Sequence, residues 1–363
     1  MATHTLPPLR TRSPLGAHRS VMSSKHGARW WTGWALKSAL VVAMVVGGLW
    51  TAAHGVAGAA WGEVLMVLRT LQLRQVVTLA GIWLAGLTIY ATVLSAALPG
   101  LGMRRGLLLN LSGSAVANVI PFGGAVATGL NWSMVRTWGH SNLAFATFCV
   151  LTNALDVATK LVLPVVAVIG LTLVAGHVPA ALWVIASVGV AALIAMWVVP
   201  TRALRCEPIQ PVAPAASTGS RAGRLTIVLA QLRETALRTR GLLIDHWGRL
   251  LPASVAYVAA QVVLLEFSLR AVGLQGPLTV VLMAAAIERL SSLVPFTPAG
   301  AGFAEIGTIA WLVANGLDPV KVVAGVLVYR FFLIAMEVPV GGLLLGAWAW
   351  FQRGTHRALG ATA

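Results

Sequence analysis

Several charged side chains of this sequence lie inside long apolar runs, where a charge needs a chemical reason. They fall into two groups, the first at Asp156 and Lys160, and the second at Glu288, Arg289, Glu305, Arg330 and Glu337. An ionisable side chain at the centre of a bilayer costs roughly 2.5–3.5 kcal/mol on insertion scales. Such residues pair with one another, line a watery path or bind a charged ligand.

The spacing and type of these residues suggest different chemistry for each group. Asp156 and Lys160 are four residues apart on one helix face, which fits either an internal ion pair or an acid and a base lining a path. An arginine stays charged at any depth, and its donors match the geometry of a phosphate. We therefore expect Arg330, with Arg289 or Lys160, to contact an anionic head group.

Uncharged polar residues also line predicted helix faces. Glu288 and Ser292 share one face, and Ser114 and Asn118 share another, which Asn110 extends by one turn. These faces predict a wet cavity between the two halves of the protein. The alternative is hydrogen bonding that holds membrane helices together.

The stretch LVPFTPAGAGFAE, residues 293–305, breaks an apolar run with two prolines and two glycines. Gly300 and Gly302 permit close approach of the backbone, and a helix can restart near Phe303. The free N–H groups and positive end of that helix suit an anionic head group. Glu305 in its first turn either caps those N–H groups or competes for the site and gates it through Arg330.

These residues require elements that cross a membrane. The chain is 58% hydrophobic and only 10% charged, whereas soluble domains average about 25% charged residues. We predict an all-α polytopic membrane protein with about six full spans and two re-entrant broken-helix hairpins, eight membrane elements in all. The net charge of +16 lies in tails and loops, which indicates membrane topology and no nucleic-acid partner.

The membrane elements form a repeat. SAVANVIPF at 114–122 aligns with ERLSSLVPF at 288–296, and each lies between a span and a long span with an internal proline. The predicted segments are a basic cytoplasmic tail (1–33), membrane half one (34–199, hairpin 103–138), a cytoplasmic linker (200–248), membrane half two (249–352, hairpin 278–314) and a cytoplasmic tail (353–363).

The distribution of arginine sets the predicted orientation. With both termini in the cytoplasm, the loop at 200–249 and the flanks of the first hairpin carry the arginines inside, as the positive-inside rule requires. The two hairpins then enter from opposite faces, an inverted repeat typical of transporters with a substrate site between the repeats. Residues 224–240 predict a basic amphipathic helix on the anionic inner leaflet, with a solvated linker helix as the alternative.

Two stretches, NVIPFGGAVATGL and VPFTPAGAGFAEIGTIAWLVANGLDPVKVVAGVLVYRF, resemble the lysylphosphatidylglycerol synthase transmembrane-region family. This is the flippase-like membrane part of MprF-type proteins, also found as stand-alone bacterial and archaeal proteins. The resemblance covers roughly residues 30–350 and implies lipid translocation or membrane-lipid handling. By family pattern the motif positions are Pro298, Gly300, Gly302, Glu305 and Arg330. We expect this chain to lack the aminoacyl-transferase domain, because it ends shortly after its last span.

The leading functional hypothesis is a lipid flippase in the bacterial plasma membrane, moving an anionic phospholipid or an isoprenoid-linked lipid. One alternative is a membrane-embedded enzyme acting on a lipid or polyprenyl phosphate through Glu305, Glu288 or Asp156. The other is a non-catalytic scaffold for cell-envelope synthesis. Hydrolase, zinc-protease and P-loop signatures are missing from the sequence, which predicts no catalytic residues, metal or cofactor. The sequence names no protein partner.

Overall fold

The computed structural model describes the chain from residue 58 onward, with gaps, and a few positions before it. The described residues are 47, 50–51, 54–55, 58–119, 123–176, 178–205, 221–293, 300 and 302–360. Across this part of the chain the structure is helical and has no strand. The span expected before residue 54 and the tail at 1–33 lie almost wholly outside these residues.

From residue 58 onward, the described part of the first half forms six helices. They are α1 (Trp61–Arg69), α2 (Leu73–Ala97), α3 (Met103–Val119), α4 (Gly123–Thr137), α5 (Asn142–Ala175) and α6 (Ala180–Arg205). The pair α3 and α4 corresponds to the predicted first hairpin, and the two helices pack against each other. The Ser141 hydroxyl caps α5 by accepting a hydrogen bond from the N–H of Ala144.

The second half forms five helices and one wider turn. They are α7 (Arg221–Ala271), α8 (Leu278–Ser291), α9 (Phe303–Ala314), α10 (Pro319–Arg330), a π-helical turn (Phe331–Ala335) and α11 (Glu337–Gly360). The pair α8 and α9 corresponds to the predicted second hairpin, and these helices also pack together. The Asp318 side chain caps α10 by accepting from the N–H of Lys321.

Helix α7 differs from the expectation of a linker helix followed by a separate span. The amphipathic stretch at 224–240 and the span at 250–271 belong to one helix of 51 residues. The intervening residues 241–249 mix apolar side chains with a few charged ones and contain no proline, so nothing in them interrupts the backbone hydrogen bonds of a helix. The proline-rich part of the predicted linker, 206–220, lies outside the described residues.

Within the described residues, five helical stretches are long and apolar enough to cross a membrane. They are Leu73–Ala97, Asn142–Val174, Ala180–Val198, Ile227–Ala271 and Pro319–Gln352. Their length and composition fit the predicted class of a polytopic helical membrane protein. The chain is therefore membrane-embedded.

The helices of the two halves pack crosswise. Helices α2 and α7, which precede the two hairpins, pack on each other. The long helix α5 of the first half packs on α8 of the second hairpin, while α11 of the second half packs on α3 of the first hairpin. At the α3–α11 contact Gly341 is essential, since a Cβ there would lie 2.0 Å from the carbonyl oxygen of Leu111.

Candidate functional site

A buried arginine with two carboxylates joins three helices of the second half. The Arg330 Nε atom donates to Glu305 Oε1 at 2.6 Å, and a terminal nitrogen of the same guanidinium donates to Glu288 Oε1 at 2.8 Å. All three side chains are buried, at 6%, 1% and 5% exposure for Arg330, Glu305 and Glu288. We call Glu288, Glu305 and Arg330 the triad. It links α8, α9 and the end of α10.

Glu305 makes two contacts at once. Its Oε2 atom accepts a hydrogen bond from the backbone N–H of Gly302 at 2.6 Å, and its Oε1 atom accepts from Arg330. The sequence offered helix capping and gating through Arg330 as alternatives; the structure contains the cap together with an ion pair to Arg330, and the gating role stays a prediction. Gly300 is part of the same turn, with φ of +69° and a position where a Cβ would lie 2.7 Å from the Ser291 carbonyl oxygen. The neighbouring Pro298 lies outside the described residues.

The triad borders an apolar cavity of about 480 Å³. The cavity is lined by Glu305, Arg330 and apolar side chains of α1, α2, α10 and the π-helical turn. With two carboxylates and one guanidinium, the triad carries one net negative charge when all three groups are ionised. In this arrangement both carboxylates hold Arg330, so a phosphate would have to displace one of them to reach it.

A second charged cluster joins the two halves of the protein. The Asp156 carboxylate of α5 lies 2.7 Å from the Lys160 ammonium and 3.2 Å from the guanidinium of Arg289 on α8. The ion pair that was one of the two alternatives for Asp156 and Lys160 is present, and it is compatible with both of them. We call Asp156, Lys160 and Arg289 the Arg289 cluster. It carries one net positive charge, so it is the better of the two clusters for an anion.

Arg289 has further partners that sequence reasoning missed. Its guanidinium donates to the Thr159 hydroxyl at 3.2 Å and to the side-chain oxygen of Gln261, and it lies 5.9 Å from the ring centroid of Tyr257. Tyr257 also stacks near Tyr90, with ring centroids 4.6 Å apart. The sequence could have indicated Gln261 and Tyr257, because two polar side chains four residues apart in an apolar span lie on the same helix face.

The Arg289 cluster borders a small enclosed space of about 10 Å³. Two polar atoms buried at this point have no hydrogen-bond partner in the described part of the chain, the Nε of Arg289 and the hydroxyl of Ser254. Tyr90 and Thr152 line the same space from the first half. A buried donor without a partner is unfavourable, so this is a place where a ligand oxygen would be stabilised.

A polar cavity of about 310 Å³ opens among α2, α3, α4 and α5. Its hydrogen-bonding lining residues are Tyr90, Asn110, Ser114, Thr128, Asn131, Thr152 and Asn153. None of the residues that line it is Asp, Glu, Lys or Arg. Ser114 lines this cavity, which lies within the first half and not between the two halves as expected, and it also contacts the Glu337 carboxylate of α11. Asn118, predicted on the same face, is half-buried nearer the end of α3 and does not line this cavity.

An apolar groove of about 460 Å³ adjoins the small space beside Arg289. It runs between α5, α7 and α8, and its lining is aliphatic apart from Thr159 and Ser254. These two residues also line the small space beside Arg289. Tyr90 and Thr152 line that small space and the polar cavity together. The apolar groove, the Arg289 cluster and the polar cavity are therefore contiguous.

A sequence model of the family described as "Lysylphosphatidylglycerol synthase TM region" matches residues 34–341, most of the chain. The chain belongs to this family. The predicted family resemblance is confirmed, and the matched residues include both hairpins, the triad and the Arg289 cluster. Membership indicates a function related to membrane lipids. No curated protein matches the chain.

Proposed function

We propose that the protein moves an anionic phospholipid or an isoprenoid-linked lipid between the leaflets of the bacterial plasma membrane. The observation that carries this proposal is the contiguity of the apolar groove, the Arg289 cluster and the polar cavity. That order is the order of the parts of a lipid: hydrocarbon chain, phosphate and head group.

The crosswise packing of the halves supports the transporter architecture. In an inverted repeat, each half packs its long helix against the hairpin of the other half. Here α5 of the first half packs on α8 of the second hairpin, and α11 of the second half packs on α3 of the first hairpin. In the proposal both hairpins are re-entrant, they enter from opposite faces, and both termini are cytoplasmic. The basic stretch at 224–240 then lies against the anionic inner leaflet.

The two clusters have different roles in the proposal. Arg289 and Lys160 receive the phosphate, because Asp156 neutralises only one of their two charges. Arg330 is held by Glu288 and Glu305 and becomes available only when the second hairpin moves. Since Glu305 also caps α9 at Gly302, a shift of α9 would change the cap and the ion pair together. Glu305 and Gly300 would then gate a second phosphate position at Arg330.

The test is a leaflet-exposure assay in proteoliposomes. A fluorescent anionic phospholipid and a fluorescent polyprenyl phosphate are each reconstituted with the pure protein, and a membrane-impermeant quencher reports the fraction in the outer leaflet over time. The proposal predicts that at least one of them exchanges several times faster than in protein-free liposomes. Lipid recovered with an altered mass would instead indicate a membrane-embedded enzyme. Unaltered lipid that exchanges no faster would contradict translocation of these lipid classes.

A further inference from the structure

The polar cavity is built for hydrogen bonds and not for charge. Its polar groups are amides and hydroxyls from four helices, and its lining contains no carboxylate, guanidinium or ammonium group. The two nearby carboxylates are already engaged: Asp156 with Lys160 and Arg289, and Glu337 with the hydroxyl of Ser114. A cationic head group in this cavity would therefore lack a dedicated counter-ion.

The amides of the cavity have unused hydrogen-bonding capacity. Asn110 and Asn131 make no side-chain hydrogen bond in the described part of the chain, and the Asn131 oxygen is buried without a partner. Asn153 uses its nitrogen on the carbonyl of Cys149 at 2.8 Å, which leaves its oxygen without a bond in the same part of the chain. Buried polar groups are almost always paired, so the Asn131 oxygen calls for a ligand or water that can bond to it, and the half-buried Asn110 and exposed Asn153 amides can join that ligand from the cavity wall.

A neutral hydroxyl-rich group fits these amides best. Each hydroxyl both donates and accepts, and each asparagine offers donors and an acceptor, so one ligand hydroxyl can satisfy either end of an amide. An ammonium group only donates and would be buried without a negative partner. The cavity is at the lower end of the range of about 300–1,000 Å³ for small-molecule sites, which suits a polyol or a single sugar.

We infer that the polar cavity is a head-group site selective for neutral, hydroxyl-rich head groups, and that it disfavours cationic ones. The inference rests on the proposed function for the position of the phosphate at Arg289. Asn131 is the central specificity residue. Its amide packs directly over Gly113 of α3, since a Cβ added at Gly113 would lie 3.0 Å from the amide nitrogen. Asn110 lies on the same helix as Gly113 and lines the cavity beside it.

Three phospholipids with matched chains test the inference. Phosphatidylglycerol has two head-group hydroxyls, phosphatidylpropanol has the same charge and similar size without them, and phosphatidylethanolamine has an ammonium group. Binding is measured as lipid-induced thermal stabilisation of the full chain in detergent, and translocation in the same proteoliposomes. We expect phosphatidylglycerol to bind at least about fivefold more tightly than either of the others, from about one to two net hydrogen bonds.

Two substitutions of Asn131 test whether this residue causes the selectivity between head groups. Asn131→Leu keeps the size of the side chain and should remove the preference for phosphatidylglycerol, while binding of phosphatidylpropanol is unchanged. Asn131→Asp adds a carboxylate and should raise the relative affinity for phosphatidylethanolamine. Should Asn131→Leu fail to fold, Asn110→Leu serves as the second variant, with the same expected direction.

The outcomes separate the inference from the proposed function. Equal binding of the three lipids by the wild-type protein would overturn the head-group inference, even if translocation is observed. A preference for phosphatidylglycerol that depends on Asn131, without any translocation, would support the head-group site and contradict the flippase proposal. A preference that survives both asparagine substitutions would place the selectivity elsewhere and overturn the inference.

Discussion

At the scale of single residues, Arg330 holds three helices of the second half together through two carboxylates. Burying charges requires that each be paired, and the triad meets this requirement with distances of 2.6 and 2.8 Å. Such a pair contributes less to net stability than its Coulomb energy suggests, because desolvation opposes it. Its effect is to fix the position of α8 and α9 relative to α10, and removing one partner leaves a buried charge alone.

We predict that Arg330→Met strongly destabilises the protein. Two buried carboxylates would lose their cation, and breaking a buried pair in this way costs about 3–5 kcal/mol. The measurement is thermal unfolding of the pure protein in detergent. The matched control is Arg238→Met, because both members of its pair with Glu234 are more than half exposed and such a pair is worth less than about 1 kcal/mol. Equal melting temperatures for the two variants would refute the structural role of the triad.

Sequence reasoning found the charged residues but not their partners. Asp156 and Lys160 could be paired from sequence because helical geometry brings residues four apart together. The contacts of Arg330 with Glu288 and of Arg289 with Asp156 connect residues far apart in the chain, and their pairing depends on tertiary packing. The same limit applies to the polar cavity. Asn131 and Asn153 lie on different helices, and nothing local indicates that they face one space.

At the scale of elements, the last membrane helix is divided by a wider turn directly after Arg330. The N–H of Met336 bonds to the carbonyl of Phe331, five residues earlier, at 2.9 Å. The turn ends at Ala335, and the ring of Pro339 would clash with the carbonyl of that residue in a regular α-helix. Turns of this kind are frequent at functional sites. Sequence reasoning expected one span with an internal proline, and it could not specify how the backbone would adjust.

We predict opposite effects for two adjacent glycines of α11. Gly341→Ala places a Cβ 2.0 Å from the backbone oxygen of Leu111, so α11 must move away from α3, at about 1–3 kcal/mol for overpacking. Gly342→Ala meets nothing within 4 Å, and replacing a helical glycine by alanine stabilises by up to about 1 kcal/mol. Melting temperatures in detergent test both. If Gly341→Ala is as stable as Gly342→Ala, α3 and α11 do not pack as described.

Other element boundaries followed from local sequence. The predicted hairpins at 103–138 and 278–314 agree with the helix pairs of the structure, since glycine and proline mark the breaks. The continuity of α7 was not predicted, because the glycines and charged residues within 241–249 fit both a loop and a helix. The absence of proline from 241–249 is consistent with the continuous helix.

At the scale of the whole molecule, the two halves exchange partners across a common centre. The Arg289 cluster lies at this centre, with Asp156 and Lys160 from the first half and Arg289 from the second. A path between the halves would therefore be lined by both, as in transporters built from inverted repeats. The order of elements suggested this arrangement from sequence, but the contiguity of the three cavities required the structure.

We predict that the two hairpins open to opposite faces of the membrane. In a variant with Cys149 and Cys206 replaced by alanine, Thr137→Cys should react with a membrane-impermeant maleimide from the cytoplasmic face only. Gln275→Cys, between α7 and α8, should react from the outer face only. Both positions are exposed, so a difference in labelling reports sidedness. Labelling of both cysteines from one face would show that the repeats are not inverted.

The most direct test of the central claim, that a lipid phosphate passes Arg289, is translocation by Arg289→Gln. The variant should fold, because Asp156 keeps Lys160 as its partner at 2.7 Å. Arg270→Gln, exposed and outside the path, is the matched control. In the leaflet-exposure assay we predict that Arg289→Gln lowers the rate for the anionic lipid at least about tenfold, from a charged hydrogen bond of about 1.5–3 kcal/mol, while Arg270→Gln keeps the wild-type rate. A folded Arg289→Gln variant with the wild-type rate would contradict the claim.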